Sequence, residues 1–320
     1  MKKGIAIAGT VLLDKINEIS KYPTAGELTK ILSIKKAVGG CVPNVGIDIK
    51  IIDSDIDVFA VGSIGGDEDG RFLSDALKSY GLNVDGLKEI DDYTSFTDVM
   101  SVTGGQRTFF TYPGACAKFG YDSIDFDDLK VDMLHLGYFM LLDKVDDGDG
   151  EKILKEAKSR GVKTSIDLVS ENSDRYKKVI PCLKYTDNLI INEVEAGKLA
   201  GIEPIDANMK TIMQTLKDYG VKERVIVHMP NKGLCLSNDF FTEVPSLDLP
   251  SGYIKGSTGA GDAFCAGSLV GIYKGWSDKE ILEFGSLSAA ASLREADAIS
   301  GMATEKEIKE LGNIYKRKSL

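Results

Sequence analysis

From residue 133 to the C-terminal region, short apolar runs alternate with segments of helical periodicity, which leaves the chain few architectures to choose from. Residues 133–136, 164–167, 189–191 and 225–227 read as strands, and continuous apolar runs of this length suit strands buried on both faces. Helical patterns intervene at 153–160, 176–183, 194–199 and 209–219 and return at 260–273, 279–294 and 305–314, with Gly161 and Gly220 placed as C-terminal caps. Strand and helix in alternation predict an α/β fold of three layers, α/β/α, around a mainly parallel sheet.

The N-terminal third adds a second theme. Residues 5–8 form an apolar run ending at Gly9, a candidate ligand edge with Asp14 just beyond. Residues 29–38 have strand composition, 45–52 a helical pattern with Pro43 in its first turn, and 58–61 a buried strand followed by a loop at 62–67. Phe72, Leu73, Ala76, Leu77 and Tyr80 recur at helical spacing before Gly81. Over 94–112, β-branched and aromatic residues flank Gly104-Gly105, a hairpin signal. With 29–38 this predicts a small separate sheet. Neither repeat nor linker interrupts residues 1–320, so one domain is expected, with segments about 15–38 and 93–113 forming the small sheet.

Charge narrows the function classes. Thirty-nine basic against 49 acidic residues leave a net charge of −10, which argues against a nucleic-acid surface. No run approaches the ~18 apolar residues of a membrane helix, and the apolar run after Lys3 is too short for a signal peptide, so no membrane partner and a cytoplasmic location are expected. Cys41, Cys116, Cys182, Cys235 and Cys265 are scattered without C-x-x-C pairing and read as reduced, buried thiols. His135 and His228 sit inside apolar runs and read as core or strand histidines.

The stretch Gly256-Ser257-Thr258-Gly259-Ala260-Gly261-Asp262-Ala263-Phe264 reads as a glycine-rich loop opening a helix, where amides and the helix dipole favour phosphate oxygens. A Walker motif is excluded because Asp262 and Ala263 stand where Lys and Ser or Thr are needed. A dinucleotide fingerprint is excluded by Phe264 at the third glycine position. A carboxylate beside bound phosphate repels it unless it handles a proton on the nucleophile, so Asp262 is a candidate general base. A glycine-rich turn with an acidic first-turn residue explains the same letters.

Gly-Ala-Gly-Asp-Ala-Phe, this late in a chain of this length, resembles the C-terminal signature of the ribokinase-like carbohydrate kinases, the PfkB family. That family's motif usually begins Asp-Thr, where this chain has Gly256 and Ser257. The resemblance implies a ribokinase-like fold with a small β lid and ATP-dependent phosphorylation of a sugar hydroxyl. Asp262 would then be the base, and the amides of Gly259, Ala260 and Gly261 the anion hole. Asp14 and Gly39-Gly40-x-x-x-Asn44 match its sugar-binding pattern, although Cys41 stands where ribokinases carry Lys. By themselves, Asp14 reads equally as solvated and Gly39-Gly40 as a turn. Arg107 and Tyr112 are candidate acceptor contacts from the hairpin, or exposed strand residues. Asn192 and Glu195 match the Asn-x-x-Glu motif associated with hydrated Mg2+, and equally a helix cap with an acidic first turn. Ser257, Lys232, Gly233 and Ser288 resemble nucleotide-pocket segments. K+ activation, common in the family, stays open, because Gly256 lacks a side chain and 294–298 lacks the usual glycine. Family lids often pair, so a homodimer through the lid is expected. A nucleoside kinase of the same family, or a non-catalytic sugar-binding regulator, are the alternative functions.

Overall fold

A computed structural model describes residues 3–102, 107–238 and 240–319. In chain order the first elements are β1 (Ile5–Ala8), β2 (Leu12–Ile19), β3 (Ile31–Gly39), α1 (Cys41–Ile52), β4 (Val58–Gly65), α2 (Glu68–Ser79), β5 (Asn83–Ile90), β6 (Phe96–Val102), β7 (Arg107–Tyr112) and α3 (Gly114–Lys118). Next come β8 (Met133–Phe139), α4 (Gly150–Ser159), β9 (Lys163–Leu168), α5 (Ile180–Leu183), β10 (Asn188–Asn192), α6 (Glu193–Ala200), α7 (Met209–Asp218) and β11 (Arg224–His228). The chain ends with β12 (Lys232–Ser237), β13 (Phe240–Pro245), α8 (Ala260–Lys274), α9 (Asp278–Ser292) and α10 (Glu305–Ile314).

The large sheet has the order β13-β12-β11-β10-β9-β8-β1-β4-β5, parallel from β5 to β11 and antiparallel at β12 and β13. Its strands feed two apolar layers. In β1, Ile5 and Ile7 join the core shared with α1, α2, α8 and α9, while Ala6 and Ala8 join the core shared with α4, α6 and α7. That division is the period-two alternation of a strand covered on both sides. Winding reverses at β1, which has β4 on one side and β8 on the other. A crevice therefore opens beyond the C-terminal ends of these central strands.

The small sheet has the order β3-β2-β6-β7. Register aligns Asp14 with Ala37 and Thr97, and Thr97 with Thr111, so these share one face. Arg107, two steps along through Ser101 and Glu18, lies on that face too, whereas Tyr112 pairs with Phe96 on the other. Gly104-Gly105 lies outside the described residues, but β6 and β7 pair antiparallel as the hairpin reading requires.

Several expectations change. Asp14 follows β1 as expected but stands within a further strand, β2, and β4 continues through the expected loop to Gly65, whose amide donates to Thr94 Oγ1 at 2.9 Å. The expected helix at 176–183 divides into a 3-10 turn (Arg175–Val179) and α5, because Pro181 has no amide to continue the α ladder. The polar edge strand β5 and the hairpin β12–β13 had no clear periodic signal; β5 is recruited by pairing with β4, and β12 by pairing with β11.

Candidate active site

Thr10, just after β1, fastens the start of α1: the Cys41 amide donates to its Oγ1 at 2.9 Å and the Val42 amide to its carbonyl at 3.1 Å. This close approach needs Gly40, whose φ is +92° and whose Cβ, if present, would stand 2.6 Å from the Thr10 carbonyl oxygen. A side chain at Gly39 would meet Asp14 Oδ2 at 2.5 Å, so the Asp14 carboxylate lies over that glycine. Burial raises the Asp14 pKa to about 6. Cys41 turns inward, its sulfur occupying the space that a side chain at Gly137 would need.

Asn44, on α1, donates from Nδ2 to Asp262 Oδ2 at 3.0 Å. Asp262 is only 8% exposed in the first turn of α8. The Tyr138 hydroxyl lies 2.9 Å from both Asp262 oxygens and donates to them. Burial, and then repulsion from Asp167, raise the Asp262 pKa to about 7, against the pull of the Asn44 and Tyr138 hydrogen bonds. Gly259, the residue before α8, has φ +79° and no side chain to cap the helix. First-turn amides have no intrahelical acceptor, and of those expected to bind phosphate only Ala260 has a nearby carbonyl partner, Ser257 at 3.3 Å.

Two clefts meet over Gly261. The smaller, of about 260 Å³, is lined by Tyr138, Asp167, Glu195 and Asp262 among others, with no lysine or arginine in its wall. Glu195 and Asn192 form a capping box: Asn192 Oδ1 accepts from the Glu195 amide at 2.9 Å, and Glu195 Oε2 from the Asn192 amide at 3.0 Å. The capping reading and the metal reading thus fall on the same side chains. Burial is the main cause that lifts the Glu195 pKa to about 7, and Asp167 adds to it. Hard oxygen donors in an acidic wall fit a divalent cation that keeps several waters. The residues do not fit a K+ site at Gly256: it offers no side-chain oxygen, and a Cβ there would stand 2.9 Å from Ala296 Cα.

The larger cleft, about 660 Å³, is of a size that encloses a nucleotide. Asn192, Lys232, Ser257, Ala260, Gly261 and Phe264 line it, as do Leu293 and Lys318, which sequence reasoning did not single out. Lys232 is already engaged by Asp206 at 3.0 Å and Glu243 at 2.8 Å. Gly233 and Ser288 do not line it. Gly233 packs against Phe264 and Leu282, and Ser288 is fully buried with its Oγ donating to the Phe284 carbonyl. Ser286, Ala289 and Ala290 are the α9 residues that face the cavity.

The remaining candidates divide. Arg107 is exposed on the Asp14 face of the small sheet. Tyr112 is on the opposite face, stacked on Phe96 and donating to Asp92 at 3.0 Å. His135 is a core histidine, as expected, between Ser165 Oγ at 2.9 Å and Asp167 Oδ2 at 3.2 Å. His228, expected in the core or a strand, ends β11 and lines both clefts, and burial lowers its pKa to about 4. Tyr138 and Asp167 were missed; their only sequence signal is their place near the ends of apolar strands.

A helix start carrying a buried carboxylate, between an acidic cleft and a nucleotide-sized one at the edge of a doubly wound sheet, is the arrangement of a small-molecule kinase of the ribokinase fold. The chain matches the pfkB family carbohydrate kinase profile over residues 4–305, and it belongs to that family. A ribokinase of Arabidopsis thaliana is 24% identical over 313 residues, covering 96% of this chain and 80% of the relative. The structure of Arabidopsis thaliana ribokinase complexed with ribose and ATP superposes with a TM-score of 0.83 at 22% identity, covering 97% of this chain and 99% of the other. A nucleoside kinase of Methanocaldococcus jannaschii gives a TM-score of 0.77 at 19% identity, over 97% and 98% of the two chains. The protein is thus a kinase of the carbohydrate kinase family. Among the described residues, no helix is long and apolar enough to cross a membrane.

Proposed function

We propose that the protein transfers the γ-phosphoryl group of ATP to a hydroxyl of a small sugar or sugar-like acceptor, with Asp262 as general base. The observation that carries this reading is the Asp262 carboxylate, buried at the start of α8 and hydrogen-bonded by Asn44 from the acceptor side. The larger cleft takes the nucleotide, and Asp14, Gly39 and Asn44 hold the acceptor. The small sheet acts as a lid, its Asp14 face turned to the acceptor, and closure excludes water that would otherwise consume ATP.

An alcohol with a pKa of ~16 and an ordinary carboxyl near ~4 differ by about 12 units. Raising Asp262 to about 7 narrows the gap to roughly 9 units, still about 12 kcal/mol for complete deprotonation beforehand. Asp262 therefore orients the hydroxyl and accepts its proton late, as bonding to phosphorus develops. The amides of Gly259, Ala260 and Gly261 stabilise charge on the transferring oxygens. Mg2+ bound with ATP supplies charge neutralisation of the phosphate oxygens, and Glu195 with Asn192 would hold it through water.

A nucleoside acceptor is the second reading. Ile16, Val99 and Phe109 align in register beside Asp14 on the inner face of the lid and would suit a base. Purified protein with ATP and Mg2+ against a panel of sugars and nucleosides decides between the two. Turnover of nucleosides alone would overturn the sugar assignment. Binding without turnover of any acceptor would favour a sugar-binding regulator.

A further inference from the structure

We propose that Tyr138 is a positioning residue for phosphoryl transfer, its hydroxyl clamping the Asp262 carboxylate so that one Oδ1 lone pair faces the acceptor hydroxyl. The proposal rests on Asp262 being the base.

Tyr138 and Met140, near the end of β8, have φ of +60° and +84°, and are two of the three non-glycine residues with positive φ among the described residues. A left-handed backbone is strained for such residues and persists only where the surroundings enforce it. Here they do. The Tyr138 amide donates to Asp167 Oδ1 at 2.5 Å, and the Met140 amide to Asp146 Oδ1 at 2.9 Å. Asp167 is itself held by His135, and His135 by Ser165. Cys41 sulfur lies where any side chain at Gly137 would be, so the backbone before Tyr138 is also fixed. A chain of contacts from the sheet interior thus aims one hydroxyl at the proposed base.

An ionised carboxylate offers about four lone-pair sites. Asn44 takes one on Oδ2, and the Tyr138 hydroxyl oxygen, with one proton to give, lies 2.9 Å from each of the two oxygens. When the acceptor hydroxyl arrives at Oδ1, the Tyr138 proton settles on Oδ2. The acceptor O–H bond then breaks with its proton passing to Oδ1, the acceptor oxygen bonds the γ-phosphorus, and the γ-phosphorus to bridging-oxygen bond breaks with its electron pair leaving on ADP.

The titratable groups packed around Asp262 are Cys41 and Asp48 on α1, His135 on β8, Asp167 on β9, His228 on β11 and Cys265 on α8. Glu195 lies across the smaller cleft. Tyr138 and Asn44 are the groups whose hydrogen bonds favour the ionised form of Asp262. Removing the Tyr138 hydroxyl therefore makes the base hold its proton more tightly.

The test compares wild type, Tyr138→Phe, 3-fluorotyrosine at 138 and Asp262→Ala, following acceptor kcat/KM against pH and the KM for ATP. Tyr138→Phe should move the acid limb up by about one pH unit with the KM for ATP unchanged. The fluorinated, stronger donor should move the limb down, and this arm decides the matter should Tyr138→Phe fail to fold. An unmoved limb with Asp262→Ala inactive overturns the role of Tyr138 alone. Undiminished turnover by Asp262→Ala overturns the base assignment itself.

Discussion

Asn44 and Asp262, separated by 218 residues, are joined by a 3.0 Å hydrogen bond between the first turns of α1 and α8. The bond ties the helix that follows β3 to the helix whose first residues, Ala260 and Gly261, line the larger cleft. Asn44 Oδ1 is buried without a protein partner. A buried, unpaired acceptor is costly, and an acceptor hydroxyl donating to it would relieve that cost.

Replacing Asp262 by Asn should lower kcat by about 10²–10⁴ and leave the KM for ATP near the wild-type value, since the amides of α8 remain. Steady-state kinetics with circular dichroism to verify the fold checks this. Wild-type turnover in a folded variant would exclude a general base at this position.

The raised pKa of Asp262 has a defined sign in stability. Its carboxyl binds a proton more tightly folded than unfolded, so the contribution is fully present below the ordinary carboxyl value of 3.8 and is lost as pH rises through about 7. A tenfold difference in proton affinity between the folded and unfolded chain corresponds to about 1.4 kcal/mol. The Tm advantage of Asp262→Asn over wild type should therefore grow from about pH 5 to about pH 8, as thermal melts across that window would record. In the same window kcat/KM of the wild type should rise with pH.

Glu195→Gln should raise the Mg2+ concentration needed for half-maximal rate by about tenfold, with the capping geometry of α6 largely kept. Because the Glu195 pKa is raised to about 7, acidification should weaken the Mg2+ response of the wild type as well. Magnesium titrations at two pH values measure both effects.

Turnover should be the same in K+ as in tetramethylammonium at equal ionic strength, because Ala296 closes the space beside Gly256. Gly256→Asp should create no K+ response and should cost about 1–3 kcal/mol through overpacking. Several-fold stimulation of the wild type by K+ would contradict this.

Asp14 and Tyr112 lie on opposite faces of the small sheet. Asp14→Asn should raise the acceptor KM by about tenfold or more, and Tyr112→Phe should leave it unchanged, losing only the bond to Asp92. Paired KM measurements on one acceptor separate the two faces.

Much of this molecule was legible without coordinates. Helical periodicity and glycine caps placed α2, α4, α7 and α10 within a few residues, because amphipathic spacing and caps are written locally. The glycine-rich entry to α8 and the Asn192–Glu195 box are likewise contiguous motifs. Ser288 and Gly233 were misjudged because a serine on a helix or a glycine opening a strand carries no record of which neighbour it will face. In the fold, Ser288 turns to Gly267 and Gly233 to Phe264.

The amino-acid order alone determined the three-layer alternation, the family signature and Asp262 as the residue to test, since each depends on spacing within a dozen residues or so. Tertiary structure decided the rest. It recruited polar β5 by pairing, turned Tyr112 away from Asp14 through strand register, and carried Asn44, Tyr138 and Asp167 to one buried carboxylate. The physical reason is that proton affinity at Asp262 is set by desolvation and by donors from distant segments, which exist only once the sheet and its helices have packed.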